Sequence, residues 1–168
     1  MAFWIASSPH NHIKAETSAL MRLVIYAVLP GIFAQWYFFG WGNIIHILLA
    51  ITTAVACEFI VLALRSKNNT KNISKQLYDG SAILTAILLG ICLPAIAPWW
   101  ISVIGAAFAI VVVKQLYGVL GHNPFNPAMA AYVVLLISFP IQMTSWQPPL
   151  ALMTIDLDFA NTITVIFT

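Results

Sequence analysis

Charge is what this sequence has least of. Only 7% of its 168 residues are Asp, Glu, Lys or Arg, where an ordinary soluble domain carries about 25%. With 61% hydrophobic residues and a mean hydropathy of +0.93, no water-soluble fold of this size hides the apolar surface, so lipid must cover it. Cysteine is nearly as scarce. Cys57 and Cys92 both lie in apolar runs, with no C-x-x-C pair and no Cys/His cluster. That argues against a zinc or iron–sulfur site built by this chain alone and in favour of two small buried hydrophobes. A basic leader is missing too, and the first apolar run is long and aromatic, so it reads as an uncleaved span. The net charge of +2 is too small to argue for nucleic acid as a partner.

The chain is therefore an all-α polytopic membrane protein. Five apolar spans are predicted at about 20–38, 43–64, 81–97, 99–119 and 127–146, the first interrupted by Pro30-Gly31. Each is near the roughly 20 residues that cross the hydrocarbon core. The third and fourth are separated on one argument. Ala82 to Val113 holds no charge and is too long for one helix at about 1.5 Å per residue, and Pro94 and Pro98 cut it beside Trp99-Trp100. Tryptophan favours the headgroup level, which puts a tight turn at the interface. Residues 1–18 form a polar arm, 19–146 the membrane domain, and 147–168 a tail.

Orientation follows from the basic residues. Lys14 and Arg22 open the first span, Arg65, Lys67, Lys71 and Lys75 follow the second, and Lys114 ends the fourth. With five spans they all fall on one side, which the positive-inside rule makes the cytoplasm. The N-terminus is then cytoplasmic and the tail, with Asp156 and Asp158, outside. The tail alternates in a β-like pattern over Thr162–Phe167 and stops in mid-pattern, as a truncated chain does.

Polar residues within this apolar background are the candidates for chemistry. The stretch from Lys114 to Ala128 carries Gly118, Gly121, Pro124 and Pro127. Asn126-Pro127 reads as a helix cap and first helical residue. Asn123 and Asn126 then aim N–H groups at whatever lies in front, an anionic phosphate or an isoalloxazine edge, or else they build a rigid turn. Glu58, about two turns inside the second span, is an expensive residue to place in lipid. It serves an ion or proton pathway or a flavin hydrogen bond, or forms a structural pair with Lys114 at similar depth. Lys114 alternatively snorkels to the surface. His46 reads as an interfacial histidine. Ala128, Ala130 and Ala131 suit close helix packing. Asn126-Pro127-Ala128 is also the triplet that water channels use, but such channels need a second copy and a pore arginine, which are missing here. A channel- or transporter-like half-repeat, or a scaffold without redox work, remains the alternative.

Lys114-Gln115-Leu116-Tyr117-Gly118, Gly121, Asn123-Pro124-Phe125-Asn126-Pro127-Ala128-Met129 and Tyr132 to Pro140 together strongly resemble the D-type membrane component of the Rnf (Rsx) ion-translocating electron-transport complexes. A wider relative is the B-type component of the sodium-translocating NADH:quinone reductases. Ser7-Ser8-Pro9-His10, Phe39-Gly40-Trp41-Gly42, Asp79-Gly80-Ser81-Ala82 and Ala97-Pro98-Trp99-Trp100 extend the likeness over about residues 1–149. The resemblance implies a multi-pass component of a six-subunit complex in the bacterial inner membrane. That complex is a translocase coupling ferredoxin- or NADH-linked electron transfer to ion movement. It also implies FMN joined through a phosphoester to a threonine beyond the fifth span, in a Ser/Gly-x-Ala-Thr context. Thr144, Thr154, Thr162, Thr164 and Thr168 lack that context, so the acceptor is expected beyond Thr168 and the chain is expected to be an N-terminal half. Catalytic residues and metal ligands are not assigned to it.

Overall fold

The computed structural model describes residues 17–65, 79–116, 125–152 and 158–168. Helices dominate, and no strand forms among the described residues. α1 spans Thr17–Phe39, α2 Trp41–Arg65 and α3 Ser81–Ile91. α4 spans Trp99–Ala107 and continues without a break as a π-helix over Phe108–Leu116. α5 spans Pro127–Ser138, α6 Pro140–Thr144 and α7 Phe159–Phe167, with a short 3₁₀ turn at Leu150–Leu152. Three helical stretches, Ser18–Phe39, Trp41–Arg65 and Trp99–Leu116, are long and apolar enough to cross a membrane, and α3 and α5 are shorter apolar helices.

Proline chemistry explains where the spans depart from the sequence reading. The predicted 81–97 span is helical only to Ile91. Leu93 precedes Pro94, and a residue before proline is pushed out of the helical region. Cys92–Pro98 therefore runs non-helically, with Leu93, Ala95 and Ala97 buried on protein, as irregular backbone inside a bilayer requires. The predicted 127–146 span breaks at Phe139 (φ −133°, ψ 59°) before Pro140, for the same reason. Pro30, expected to interrupt the first span, sits inside a continuous α1, an insertion that helices in lipid tolerate. The expected β-like tail at Thr162–Phe167 is helical instead. Asp158 caps α7 by accepting the Phe159 N–H at 2.8 Å, and Thr162 and Ile166, four apart, bury one face.

α2 is the centre of the bundle, packed against α3 and α4, while α5 closes over α3, α4 and the π segment. The shared core is built largely of alanine: Ala50 and Ala54 from α2, Ala82 and Ala86 from α3, Ala106 and Ala109 from α4 and its continuation, Ala128 and Ala131 from α5. In lipid, helices gain little from hiding apolar surface against one another. Small side chains bring backbones close enough for dispersion to hold them. The closest approach is at Gly42, where a Cβ would overlap the carbonyl oxygen of Ala95. α1 stays at the edge, with most of its side chains exposed.

The helix order gives the bundle two unlike ends. Starts of α1, α3 and α5 and ends of α2 and the π segment share one end. There lie Arg22, Arg65 and Lys114, the basic residues among those described. Trp36, Trp41, Trp99, Trp100 and Trp146 gather at the other end. α7 lies there as well, with Phe159 against Trp41 (5.4 Å between ring centres) and Phe167 stacked on Trp99 (6.2 Å).

Gly42→Val forces the Ala95 backbone aside. It is expected to destabilise the bundle by about 3 kcal/mol, the upper range for overpacking, in unfolding titrations from mixed micelles. Gly31→Ala, a site with nothing within 4 Å of an added Cβ, is the control. It is expected to leave stability equal or raise it by up to about 1 kcal/mol.

Candidate functional site

Two parallel helices, α2 and α4, share two polar rungs. The first is His46, whose Nδ1 lies 2.6 Å from Ser102 Oγ, with both residues fully buried. The sequence placed His46 at the interface. The structure places it inside the seam, because α4 runs parallel to α2 and sets Ser102 opposite it. The second rung is Glu58 with Lys114, an ion pair between side chains 3% and 5% exposed.

The π-helix is what aligns both rungs. Buried residues on α4 and its continuation recur as Ile101-Ser102, Gly105-Ala106, Ala109-Ile110 and Val113-Lys114. That is a four-residue repeat. In an α-helix, at about 100° per residue, such a repeat drifts round the axis by about 40° per step. Bonding i→i+5 winds the chain more loosely and turns the drift back. Lys114 thereby stays on the face that carries Ser102 and meets Glu58.

Lys114 does not stop at Glu58. Its Nζ also donates to Ser81 Oγ at 2.6 Å, and Ser81 Oγ donates to Asp79 Oδ1 at 2.6 Å. Asp79 Oδ1 accepts the Ser81 N–H as well, at 2.8 Å, so Asp79 caps the start of α3 through Gly80, which adopts φ 77°. That left-handed shape favours glycine. Four groups thus form one hydrogen-bonded line, from fully buried Glu58 through Lys114 and Ser81 to half-buried Asp79. The second carboxylate oxygen of Glu58, Oε2, is buried without a hydrogen-bond partner. Among the described residues no group of three or more His, Cys, Asp and Glu is placed to hold a metal.

Sequence reasoning named Glu58 and Lys114 and placed them at similar depth. It missed Ser81 and Asp79, although Asp79-Gly80-Ser81 ahead of an apolar run is a helix-start signal. Asn126 caps α5 as expected, accepting the Ala128 N–H at 3.0 Å. Asn123 lies outside the described residues, as do Gly118, Gly121 and Pro124. Asn126 borders a groove of about 450 Å³ between the π segment and α5, lined otherwise by apolar side chains such as Phe108, Val112, Phe125 and Met129. The groove suits a flat ring or a hydrocarbon chain. Among the described residues its lining holds no cation.

Removing one member of the buried pair leaves a lone charge in the bundle. Lys114→Met or Glu58→Gln alone is expected to cost about 3–5 kcal/mol, and the double substitution is expected to recover most of that loss. A double-mutant cycle on unfolding in micelles measures both.

Residues 4–167 match the NQR2, RnfD, RnfE family. The chain is 72% identical over all 168 residues to the D component of the ion-translocating oxidoreductase complex of Colwellia psychrerythraea, of which it covers 46%. It is 56% identical over 167 residues to the component of that name in Erwinia tasmaniensis, covering 99% of this chain and 46% of the relative. With the one in Shewanella sediminis it shares 55% over 168 residues, all of this chain and 47% of the relative. The chain spans slightly under half the length of these relatives. A family match from residue 4 to residue 167, with more than half of all positions identical in these relatives, leaves one conclusion: this protein belongs to the NQR2, RnfD, RnfE family.

Proposed function

We propose that this chain is a membrane-embedded part of a complex that couples electron transfer to ion translocation. The reading is supported most by the 72% identity, across the whole chain, with one component of an ion-translocating oxidoreductase complex. The electrons are ferredoxin- or NADH-linked and pass through flavin. FMN is the cofactor of the complex, and it supplies one-electron transfer.

Within that reading, Glu58 and Lys114 belong to the ion pathway. A buried ion pair is a poor source of stability, and an ionisable residue within a span is a functional candidate for that reason. The end bearing Arg22, Arg65 and Lys114 faces the cytoplasm of a bacterial inner membrane. The arm before α1 lies on that side, and the aromatic end with α7 faces the periplasm. The exposed flank of α1, with Leu23, Tyr26, Phe33 and Tyr37 outward, meets lipid and the other members of a six-subunit assembly. Asn126 shapes one wall of the groove beside α5.

Purified complex in vesicles is expected to carry flavin and to take up ions only when an electron donor is supplied. A complex without flavin and without donor-dependent uptake overturns the reading. Asn126→Ala removes a cap worth about 1 kcal/mol. It is expected to leave membrane insertion intact and to slow electron transfer, and an unchanged rate removes Asn126 from the site.

A further inference from the structure

The line Glu58–Lys114–Ser81–Asp79 has a direction. Lys114 Nζ donates to Ser81 Oγ, and Ser81 Oγ donates to Asp79 Oδ1. Ser81 therefore uses its lone pair on one side and its only O–H on the other. Burial falls along the line: Glu58, Lys114 and Ser81 are buried, and Asp79, at the end of the bundle, is half-exposed. Among the described residues, Lys114 and Asp79 are the charged groups that act on Glu58.

We propose that these four groups form a proton path, in which Glu58 takes up a proton and not a metal cation, exchanging it with water at Asp79 through the Ser81 hydroxyl. The path rests on the ion-pathway reading of Glu58 and Lys114 for its purpose, but its chemistry stands on the geometry alone. Hard cations bind through a shell of several oxygens, about six or more for calcium and magnesium. Here the position between Glu58 and Ser81 is already filled by the Lys114 ammonium. What remains is one carboxylate oxygen, Oε2, next to a positive charge. A proton needs only that lone pair.

Loading balances without any redox change. Hydronium from bulk water protonates Asp79 and leaves water. An Nζ–H bond of Lys114 breaks as its proton passes to the Glu58 carboxylate, which gives a neutral acid and a neutral amine. The Ser81 hydroxyl, which had faced Asp79, turns to the amine and gives up its proton there as it takes the proton of Asp79, so no alkoxide is left. Lys114 is again an ammonium, Ser81 a hydroxyl and Asp79 a carboxylate. One proton has moved from water to Glu58, whose carboxyl turns to hold it at the open oxygen position.

Infrared hydrogen–deuterium exchange on the full-length protein in lipid nanodiscs, with no electron donor, reads this path directly. The pair's signal is identified by its loss in Glu58→Gln. Ser81→Ala is expected to slow exchange by roughly a hundredfold, the scale of losing a positioned proton-transfer group. Ser81→Thr keeps the hydroxyl and is expected to keep the rate. Asp79→Asn keeps the acceptor that caps α3 but not the acid, and is expected to slow exchange as Ser81→Ala does. Wild-type exchange in Ser81→Ala or Asp79→Asn overturns the path. Exchange blocked by sodium chloride but not by potassium chloride also overturns it, in favour of a metal cation at Glu58. Because no donor is present, failure of electron coupling in the complex leaves this result untouched, and the two readings fail separately.

Discussion

Close contact between α2 and α4 is the constraint on which the rest of the bundle depends. Two helices running in the same direction come together in lipid only where their shared faces are small, and here α2 brings Ala50 and Ala54 to the core and α4 with its continuation brings Ala106 and Ala109. At such separation a polar side chain on one helix must find its partner on the other, since neither water nor lipid reaches it. His46 with Ser102 and Glu58 with Lys114 are those partners. The alanines between them seal the seam and hold the two rungs apart. The π winding of Phe108–Leu116 keeps the second rung in register with the first.

At the aromatic end the same closeness replaces helix with irregular chain. α3 stops at Ile91, and Cys92–Pro98 packs its backbone on α2 where Gly42 lacks a side chain. Gln35 of α1 donates to the carbonyl of Ile91 at 3.0 Å, which satisfies one of the groups the shortened helix leaves open. Gln147 donates to the carbonyl of Phe39 and ties the segment after α6 to the first hairpin. α7 then lies across Trp41 and Trp99. This end is therefore tied down by side chains bonding to backbone and by ring contacts.

The basic end is organised differently, through charge. Lys114 links the last turn of the π segment to the first residue of α3, and Asp79 fixes the start of that helix. A change in the charge of any one of the four groups is felt by α2, α3 and the π segment together. The groove beside Asn126 lies on the other side of the π segment, and its described lining is apolar apart from Asn126 and holds no cation. The polar line and the apolar groove thus share one element, Phe108–Leu116, but not one chemistry.

Much of this was legible in the residues alone. Scarce charge and long apolar runs determined that lipid is the solvent, because no other medium accommodates that composition. Asn126-Pro127 announced the start of α5, since both residues act through local backbone chemistry. The distribution of Arg22, Arg65 and Lys114 marked one end of the bundle. Other features depended on contacts between distant segments. Thr162 to Phe167 alternates like a strand, yet its cap at Asp158 and the face it buries made it helical. The four-residue repeat from Ile101 to Lys114 has meaning only when α2 lies opposite, and that is why the π winding was not foreseen. Depth along the spans placed Glu58 and Lys114 at one level. Only the packing of three helices brought Ser81 and Asp79 to them, because hydrogen bonds between segments 33 and 56 residues apart leave no local trace in the sequence.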